Sequence, residues 1–185
     1  MKLIPEQQPL GLKLLDKGDF EQLYGILLES FPPDELRSRQ EHRELLDAPA
    51  YQVWACYEQQ LQGFLTVWSL QEFAFIEHFA VRIDCRNGGL GSKLLQALSQ
   101  KLGKRLCLEA ELPETDMAKR RLDFYRRNGF SVNEYPYLQP ALEEGKNPVP
   151  LHILTTGGPV SEEEFETLVT EIYKTVYKGK MSRRT

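Results

Sequence analysis

A chain of 185 residues with 41% hydrophobic residues is long enough to form one domain with a sizeable buried core. The formal charge of −4 and the pI near 5.5 argue against a nucleic-acid-binding surface, and no apolar run approaches the length of a membrane span or a signal peptide. Three cysteines, Cys56, Cys85 and Cys107, lack metal-ligand spacing and leave an odd number for disulfides. We therefore expect a cytoplasmic protein without a metal site.

The first predicted elements are a strand and two helices. Residues 9–16 favour a short strand, after which Asp19 and Gln22 resemble a capping box for a helix that runs to Phe31. Two prolines then end this helix. A second helix, rich in charged residues, is predicted from residue 34 to residue 46.

Three antiparallel strands are expected next. They cover residues 51–57, 63–70 and 73–83, with a turn between the first two. Along the third strand, apolar residues recur at every second position and predict one strongly apolar face, on which Glu77 also falls. The alternating apolar positions are Phe73, Phe75, Phe79, Val81 and Ile83.

A glycine-rich turn joins this third strand to a helix whose leucines recur at helical spacing from Leu90 to Leu102. Glycines allow a ligand to approach the backbone, and the first amides of a helix favour an anion, so the turn at 86–91 predicts a phosphate site. Its spacing fits neither a P-loop nor a dinucleotide fingerprint, which would require glycine at Leu94. A nucleotide hydrolase is therefore disfavoured.

The remaining pattern predicts a strand at 105–112, a helix from Thr115 to Asn128, two strands near 131–138 and 150–155, and a last helix. The first of these strands should be parallel to the 73–83 strand, because a helix crosses between them. The last helix begins at a predicted capping box of Ser161 and Glu164 and carries one apolar stripe.

Two motifs of this chain resemble the GNAT superfamily of acyl-CoA-dependent N-acyltransferases. Arg86-Asn87-Gly88-Gly89-Leu90-Gly91 matches the pattern Arg/Gln-x-x-Gly-x-Gly/Ala, and Phe124-Tyr125-Arg126-Arg127-Asn128-Gly129-Phe130 matches Phe-Tyr-x-x-x-Gly-Phe. The resemblance implies an α+β fold with a central mixed, mostly antiparallel sheet of about six or seven strands flanked by helices. We predict a GNAT domain over residues 1–158. Residues 159–185 should form an amphipathic helix and a basic tail that pack on the domain or on a partner.

The resemblance further implies acetyl-CoA as co-substrate. The candidate acetyl-CoA-binding residues are Phe79, Ala80, Val81, Arg86, Asn87, Gly88, Gly89, Leu90, Gly91, Ser92 and Tyr125. The amides of the turn would hold the pyrophosphate, and backbone groups of Phe79 and Val81 would follow the pantetheine arm. Arg86 would add a charge-assisted contact with phosphate, unless it is an ordinary surface arginine.

Tyr125 and Glu77 are the candidate catalytic residues. The resemblance makes Tyr125 the general acid for the leaving sulfur, with a buried core tyrosine as the alternative. Glu77 is the candidate base, because apolar neighbours should raise its pKa, although an ion pair would give it a structural role instead. His78, which a strand bulge would exchange with Glu77, and the pair Glu109 and Glu111 are the other candidates.

The acidic charge and these carboxylates favour a small cationic amine as acceptor, attacked in a ternary complex with acetyl-CoA. An amino-acid or antibiotic amine and a protein lysine are competing acceptors, and the protein would be a monomer or a homodimer. The alternative function is a non-catalytic acyl-CoA-binding sensor or interaction module, which the C-terminal helix would suit.

Overall fold

A computed structural model describes residues 10–178, so residue 9 of the predicted first strand and most of the predicted basic tail lie outside the described residues. Within that range the chain forms seven strands and five α-helices. The strands are β1 Leu12–Leu14, β2 Tyr51–Tyr57, β3 Leu61–Ser69, β4 Phe73–Val81, β5 Arg105–Glu111, β6 Phe130–Gln139 and β7 Val149–Thr156. The helices are α1 Phe20–Ser30, α2 Arg39–Leu45, α3 Leu90–Leu102, α4 Asp116–Arg127 and α5 Glu162–Thr175. None of these helices is long and apolar enough to span a membrane.

One sheet contains all seven described strands in the order β1-β2-β3-β4-β5-β7-β6. Neighbouring strands are antiparallel except β4 and β5, which run parallel because α3 crosses between them. This arrangement confirms the predicted α+β fold and the mixed, mostly antiparallel sheet.

The sheet separates two apolar cores. The first core packs α1, α2 and α5 on one face, and the second core packs α3 and α4 on the other. The apolar stripe of α5, from Phe165 to Ile172, is buried in the first core together with Phe20 of α1. Ser161 and Glu164 form the predicted capping box at the start of α5. The apolar face of α5 is therefore covered by its own chain.

A β-bulge divides β4 into two halves. Val67 pairs with Ile76 and Thr66 pairs with His78, so Glu77 is the extra residue. Before the bulge, odd-numbered residues such as Phe75 face the first core; after it, odd-numbered residues such as Phe79 and Val81 face the second. The predicted single apolar face from Phe73 to Ile83 is therefore wrong. The bulge turns both Glu77 and His78 toward the first core, where their contacts lie.

The second predicted helix begins later than expected. Residues 33–35 form one 3₁₀ turn, Leu36 and Ser38 are extended, and α2 starts at Arg39. Ser38 and Glu41 form a capping box there, which fixes the start of α2. The segment between α1 and α2 is therefore a connection that faces the sheet.

The predicted capping box of Asp19 and Gln22 does not form. Asp19 is the N-cap of α1, but its carboxylate accepts hydrogen bonds from the Gln22 side chain at 2.9 Å and from the Tyr57 hydroxyl at 2.8 Å, not from a backbone amide. The Tyr57 partner comes from β2. A contact between distant parts of the chain therefore replaces the local cap that the sequence pattern predicted.

Candidate functional site

The candidate site opens where β4 and β5 separate. Their pairing stops at Ile76 and Leu108, although β4 continues to Val81 and β5 continues to Glu111. Past that point the backbone groups of the two strands no longer pair with each other, which leaves polar groups for a ligand between them. A cavity of about 410 Å³, called here the acceptor cavity, lies against both strand ends.

A second cavity, of about 380 Å³ and called here the turn groove, lies beside the glycine-rich turn. Apart from Gly88, which belongs to the same turn, every predicted acetyl-CoA-binding residue lines it. These residues are Phe79, Ala80, Val81, Arg86, Asn87, Gly89, Leu90, Gly91, Ser92 and Tyr125. The fold therefore brings the predicted residues from β4, the turn, α3 and α4 to one groove.

The glycine-rich turn leaves the N-terminus of α3 open. Gly89, the N-cap residue, has a φ of +78° and Asn87 has a φ of +67°, and no side chain caps the helix. A Cβ atom added to Gly88 or Gly89 would meet no atom within 4 Å, so the space beside them is open. Uncapped amides at a helix N-terminus beside open space suit a phosphate group.

Gly91 has a different role in the same turn. A Cβ atom there would lie 3.2 Å from Cζ of Phe124 and 3.4 Å from Cζ of Phe79. The missing side chain therefore allows α3 to pack closely on these two rings, which stack at 6.2 Å. This packing keeps the start of α3 beside the end of β4.

The Arg86 side chain links three elements. Its Nε donates to the carbonyl oxygen of Val81 at 2.8 Å, and its Nη2 donates to Oγ of Ser30 at 3.3 Å. The guanidinium thus holds the turn against the end of β4 and the end of α1. It lines both the turn groove and the acceptor cavity, so its charge lies at their border.

Tyr125 also lies at the border of the two cavities. Its ring is only 7% exposed and packs against Phe79, Phe124 and Phe130. Within residues 10–178 its hydroxyl has no hydrogen-bond partner, and burial raises the pKa of Tyr125 to about 12. The hydroxyl is therefore protonated at neutral pH and available as a hydrogen-bond donor.

Glu77 forms a buried ion pair. Its Oε1 accepts from Nη2 of Arg37 at 2.7 Å and from Nε at 3.1 Å, while its Oε2 accepts from Nε1 of Trp68 at 2.7 Å. Burial favours a higher pKa, but the charge of Arg37, with smaller contributions from His78 and Trp68, holds the pKa of Glu77 below its ordinary value. The predicted rise in this pKa is wrong, because the sequence pattern gives no sign of the arginine 40 residues away.

His78 is fully buried and lies against the rings of Phe31 and His42. Burial lowers the pKa of His78, so its imidazole is neutral at neutral pH. Its Nε2 lies 2.9 Å from the carbonyl oxygen of Glu35, which can only accept, so this nitrogen carries the proton. The imidazole therefore joins β4 to the connection before α2.

The predicted carboxylates of β5 have partners of their own. Glu109 accepts from the hydroxyl of Tyr177 at 2.8 and 2.9 Å and from the hydroxyl of Tyr137, and burial raises its pKa to about 8. Glu111 pairs with Arg121 of α4 at 2.8 Å. Both carboxylates line the acceptor cavity.

Glu35 is a cavity residue that the sequence reasoning missed. The helix predicted over 34–46 placed it on a charged helical face, whereas the structure places it in the 3₁₀ turn that faces the acceptor cavity. Burial and the charge of Glu111, partly offset by Arg121, raise the pKa of Glu35 to about 7. The capping pattern of Ser38 and Glu41 was the available signal, because a helix that begins after Ser38 leaves Glu35 in the preceding connection.

The fold and site together define a protein in which an uncapped, glycine-rich helix N-terminus and a carboxylate-lined cavity adjoin the point where two parallel strands separate. The family model described as "Acetyltransferase (GNAT) family" matches residues 20–130. The chain belongs to this family, as the two sequence motifs predicted.

Individual relatives agree with this assignment. A solved GNAT-family structure from Bacteroides thetaiotaomicron, provisionally named as an acetyltransferase, is 33% identical with a TM-score of 0.82 and covers 90% of this chain and 97% of that one. YjbC of Bacillus subtilis (strain 168), also provisionally named as an acetyltransferase, is 32% identical over 109 residues, which are 58% of this chain and 55% of YjbC. A GNAT acetyltransferase from Elizabethkingia anophelis with acetyl-CoA bound shares the fold at 19% identity, with a TM-score of 0.58 over 81% of this chain and 99% of that one.

Proposed function

We propose that this protein is an acetyl-CoA-dependent N-acetyltransferase that acts on a primary amine of a small cationic molecule. The observation that carries the proposal is that the turn groove and the acceptor cavity meet at Tyr125. Groups bound in the two cavities would meet there, and holding two reactants together supplies a large part of the catalytic effect.

The residues of the turn groove fit acetyl-CoA. Uncapped amides at the start of α3 and the open space beside Gly88 and Gly89 suit the pyrophosphate. Beyond Ile76, the edge of β4 that no longer pairs with β5 offers backbone groups to the pantetheine arm. Acetyl-CoA supplies an activated thioester when it is bound. The Elizabethkingia anophelis relative, which has acetyl-CoA bound, supports the same co-substrate here.

Tyr125 has the properties of a general acid. The neutral amine nitrogen forms a bond with the thioester carbonyl carbon, the bond from that carbon to sulfur breaks, and the nitrogen loses one further proton to solvent. The Tyr125 hydroxyl gives its proton to the departing sulfur. The high pKa of Tyr125 keeps that proton in place at neutral pH. Arg37 and Trp68 occupy the oxygens of Glu77, so the proton of the incoming ammonium goes to another carboxylate of the acceptor cavity.

The acceptor is proposed to be cationic because carboxylates predominate in the acceptor cavity. Those lining it are Glu29, Glu35, Glu77, Glu109 and Glu111. Two arginines, Arg86 and Arg121, also line it. Because Arg121 is paired with Glu111 and Arg37 with Glu77, the carboxyl groups without a paired arginine are Glu29, Glu35 and Glu109, which outnumber Arg86. The volume of about 410 Å³ suits a small molecule better than a folded protein surface. An amine screen would distinguish this acceptor from an amino-acid amine, an antibiotic amine or a protein lysine.

A melting series followed by an amine screen tests this function. Acetyl-CoA at 100 times its Kd should stabilise the fold by about 2.7 kcal/mol, whereas ATP and NAD should have much smaller effects. Small cationic amines should then release CoA thiol from acetyl-CoA. Release only with neutral or anionic acceptors would contradict the charge argument.

The alternative of a non-catalytic acyl-CoA sensor predicts stabilisation by acetyl-CoA without thiol release from any amine. The C-terminal helix would suit such a sensor if its apolar face contacted a partner. In the structure that face is buried in the first core, so nothing described favours the sensor over the enzyme.

We also propose that residues 1–158 form the GNAT domain and that α5, which lies in the segment 159–185, packs on it. Burial of Phe165 and Ile172 beside Phe20 supports this division. The cysteines Cys56, Cys85 and Cys107 are unpaired, which supports a reducing compartment such as the cytoplasm. Size-exclusion chromatography with light scattering distinguishes a monomer from a homodimer.

A further inference from the structure

The carboxylates of the acceptor cavity differ in their ion-pair and hydrogen-bond partners. Glu77 is paired with Arg37, Glu109 accepts from two tyrosine hydroxyls, and Glu111 is paired with Arg121. Glu29 is exposed on α1. Within residues 10–178, Glu35 is the carboxylate of this cavity that is partly buried and accepts no side-chain or backbone hydrogen bond.

The backbone at Glu35 is held in place from several sides. Its N–H donates to the carbonyl oxygen of Pro32 at 3.0 Å, and its own carbonyl oxygen accepts from Nε2 of His78 at 2.9 Å. The neighbouring Asp34 is anchored as well, since its carbonyl oxygen accepts from Gln139 of β6 at 3.1 Å. A carboxylate without partners on a fixed backbone is suited to bind or accept from a ligand group.

We propose that Glu35 is the catalytic base of the reaction, an inference that rests on the proposed function. The acceptor ammonium gives one proton to the Glu35 carboxylate and becomes a neutral amine, whose lone pair forms the bond with the thioester carbon. The carbon–sulfur bond breaks, sulfur takes the proton of Tyr125, and the nitrogen loses its second proton to solvent as the amide forms. Glu35 returns its proton to solvent, and Tyr125 regains one from solvent.

The surroundings of Glu35 suit a base that works near neutral pH. Burial and the charge of Glu111 raise its pKa to about 7, with a smaller effect in the same direction from Asp34, whereas Arg121 lowers it. Across the cavity, the negative charge of Glu35 also raises the pKa values of Glu109 and Tyr125. A base with a pKa near the working pH combines a large ionised fraction with adequate basicity.

A pH series on Glu35→Gln tests the proposal, with Glu44→Gln as the matched control. Glu44 is an exposed residue of α2 outside the cavity, so the same change there should leave every parameter unaltered. For wild type, kcat/KM should rise with pH through a limb near 7. Glu35→Gln should lower the rate at pH 7 by about 10²-fold or more, lose that limb, and recover as pH approaches the pKa of the free amine, about 10. Acetyl-CoA should stabilise Glu35→Gln as much as it stabilises wild type. This equal stabilisation would show that the fold and the turn groove of the variant are intact.

A second measurement does not depend on turnover. Carbon-13 NMR of glutamate carboxyls, with the Glu35 signal identified by its loss in Glu35→Gln, should show a titration midpoint near 7. A midpoint near the ordinary value of about 4.5 would overturn the proposal, as would an acidic limb that survives in Glu35→Gln. Wild type that binds acetyl-CoA but releases no thiol with any amine would overturn the proposed function itself, and the role of Glu35 with it.

Discussion

Removing Arg37 should destabilise the fold strongly, because it leaves a buried charge without its partner. The side chains of Arg37 and Glu77 are only 5% and 4% exposed, and their closest N–O distance is 2.7 Å. In Arg37→Met, Trp68 would be the remaining hydrogen-bond donor to the Glu77 carboxylate, and the carbonyl oxygen of Val176 would lose its bond from Nη2. Breaking a buried pair in this way costs about 3–5 kcal/mol.

Equilibrium unfolding in urea measures this cost. With a slope of about 2 kcal/mol per M, the midpoint of Arg37→Met should fall by about 1.5–2.5 M. Glu77→Gln provides the matched variant, because it keeps the shape of the partner and removes its charge. The double variant Arg37→Met/Glu77→Gln should lose less than the sum of the single losses, with a coupling energy of about 2 kcal/mol.

The pH dependence gives an independent check with a definite sign. The folded-state pKa of Glu77 is lowered, so its contribution is present above the unfolded value of 4.5 and is lost as pH falls through the lower folded value. Without Arg37, burial would raise that pKa above 4.5 instead, so Arg37→Met should gain stability as pH falls toward 4.5, and wild type should lose stability below 4.5. The stability gap between wild type and Arg37→Met should therefore narrow as pH falls from 7 to 3.5. A coupling energy under about 0.5 kcal/mol, or a gap that stays constant from pH 7 to pH 3.5, would refute the reasoning.

Four further substitutions probe the site. Tyr125→Phe should lower kcat by about 10²-fold and leave the acetyl-CoA-induced melting shift unchanged; an unaltered kcat would exclude Tyr125 as the acid. Gly89→Val should abolish that melting shift, because the φ of +78° disfavours a β-branched residue and the side chain would fill the open space beside the turn; a full shift would place acetyl-CoA elsewhere. Tyr177→Phe should destabilise the fold by about 1–3 kcal/mol in urea, since the buried Glu109 loses a hydrogen-bond donor. Because the folded pKa of Glu109 is raised to about 8, its carboxyl group makes the fold less stable as pH rises from 4.5 through 8. Glu109→Gln should reduce that loss of stability.

Elements governed by local rules could be predicted from the sequence. The Ser161 capping box and the α3 leucine spacing each depend on residues within about one helical turn of each other, and both are present in the structure. The grouping of residues in the turn groove could be predicted for the same reason, because most of them belong to one strand–turn–helix unit.

The acceptor side could not be predicted in the same way, because it depends on contacts between distant residues. The bulge at Glu77 changes which face each later residue of β4 occupies, and alternation alone does not reveal a bulge. The ion pair with Arg37 reverses the expected pKa shift of Glu77. Glu35 enters the cavity only because α2 starts at Arg39, which the charged pattern of residues 34–46 obscured.

The end of α5 contacts only one half of the site, so the two halves can differ between relatives independently of each other. Val176 and Tyr177 contact Arg37 and Glu109 on the acceptor side, and both lie well beyond residue 130, where the match to the family model ends. The turn groove is built entirely within residues 79–125. Relatives can therefore keep the turn groove while exchanging the C-terminal helix that supports the acceptor cavity. An acceptor identified for one relative should be transferred to another only when this helix matches as well.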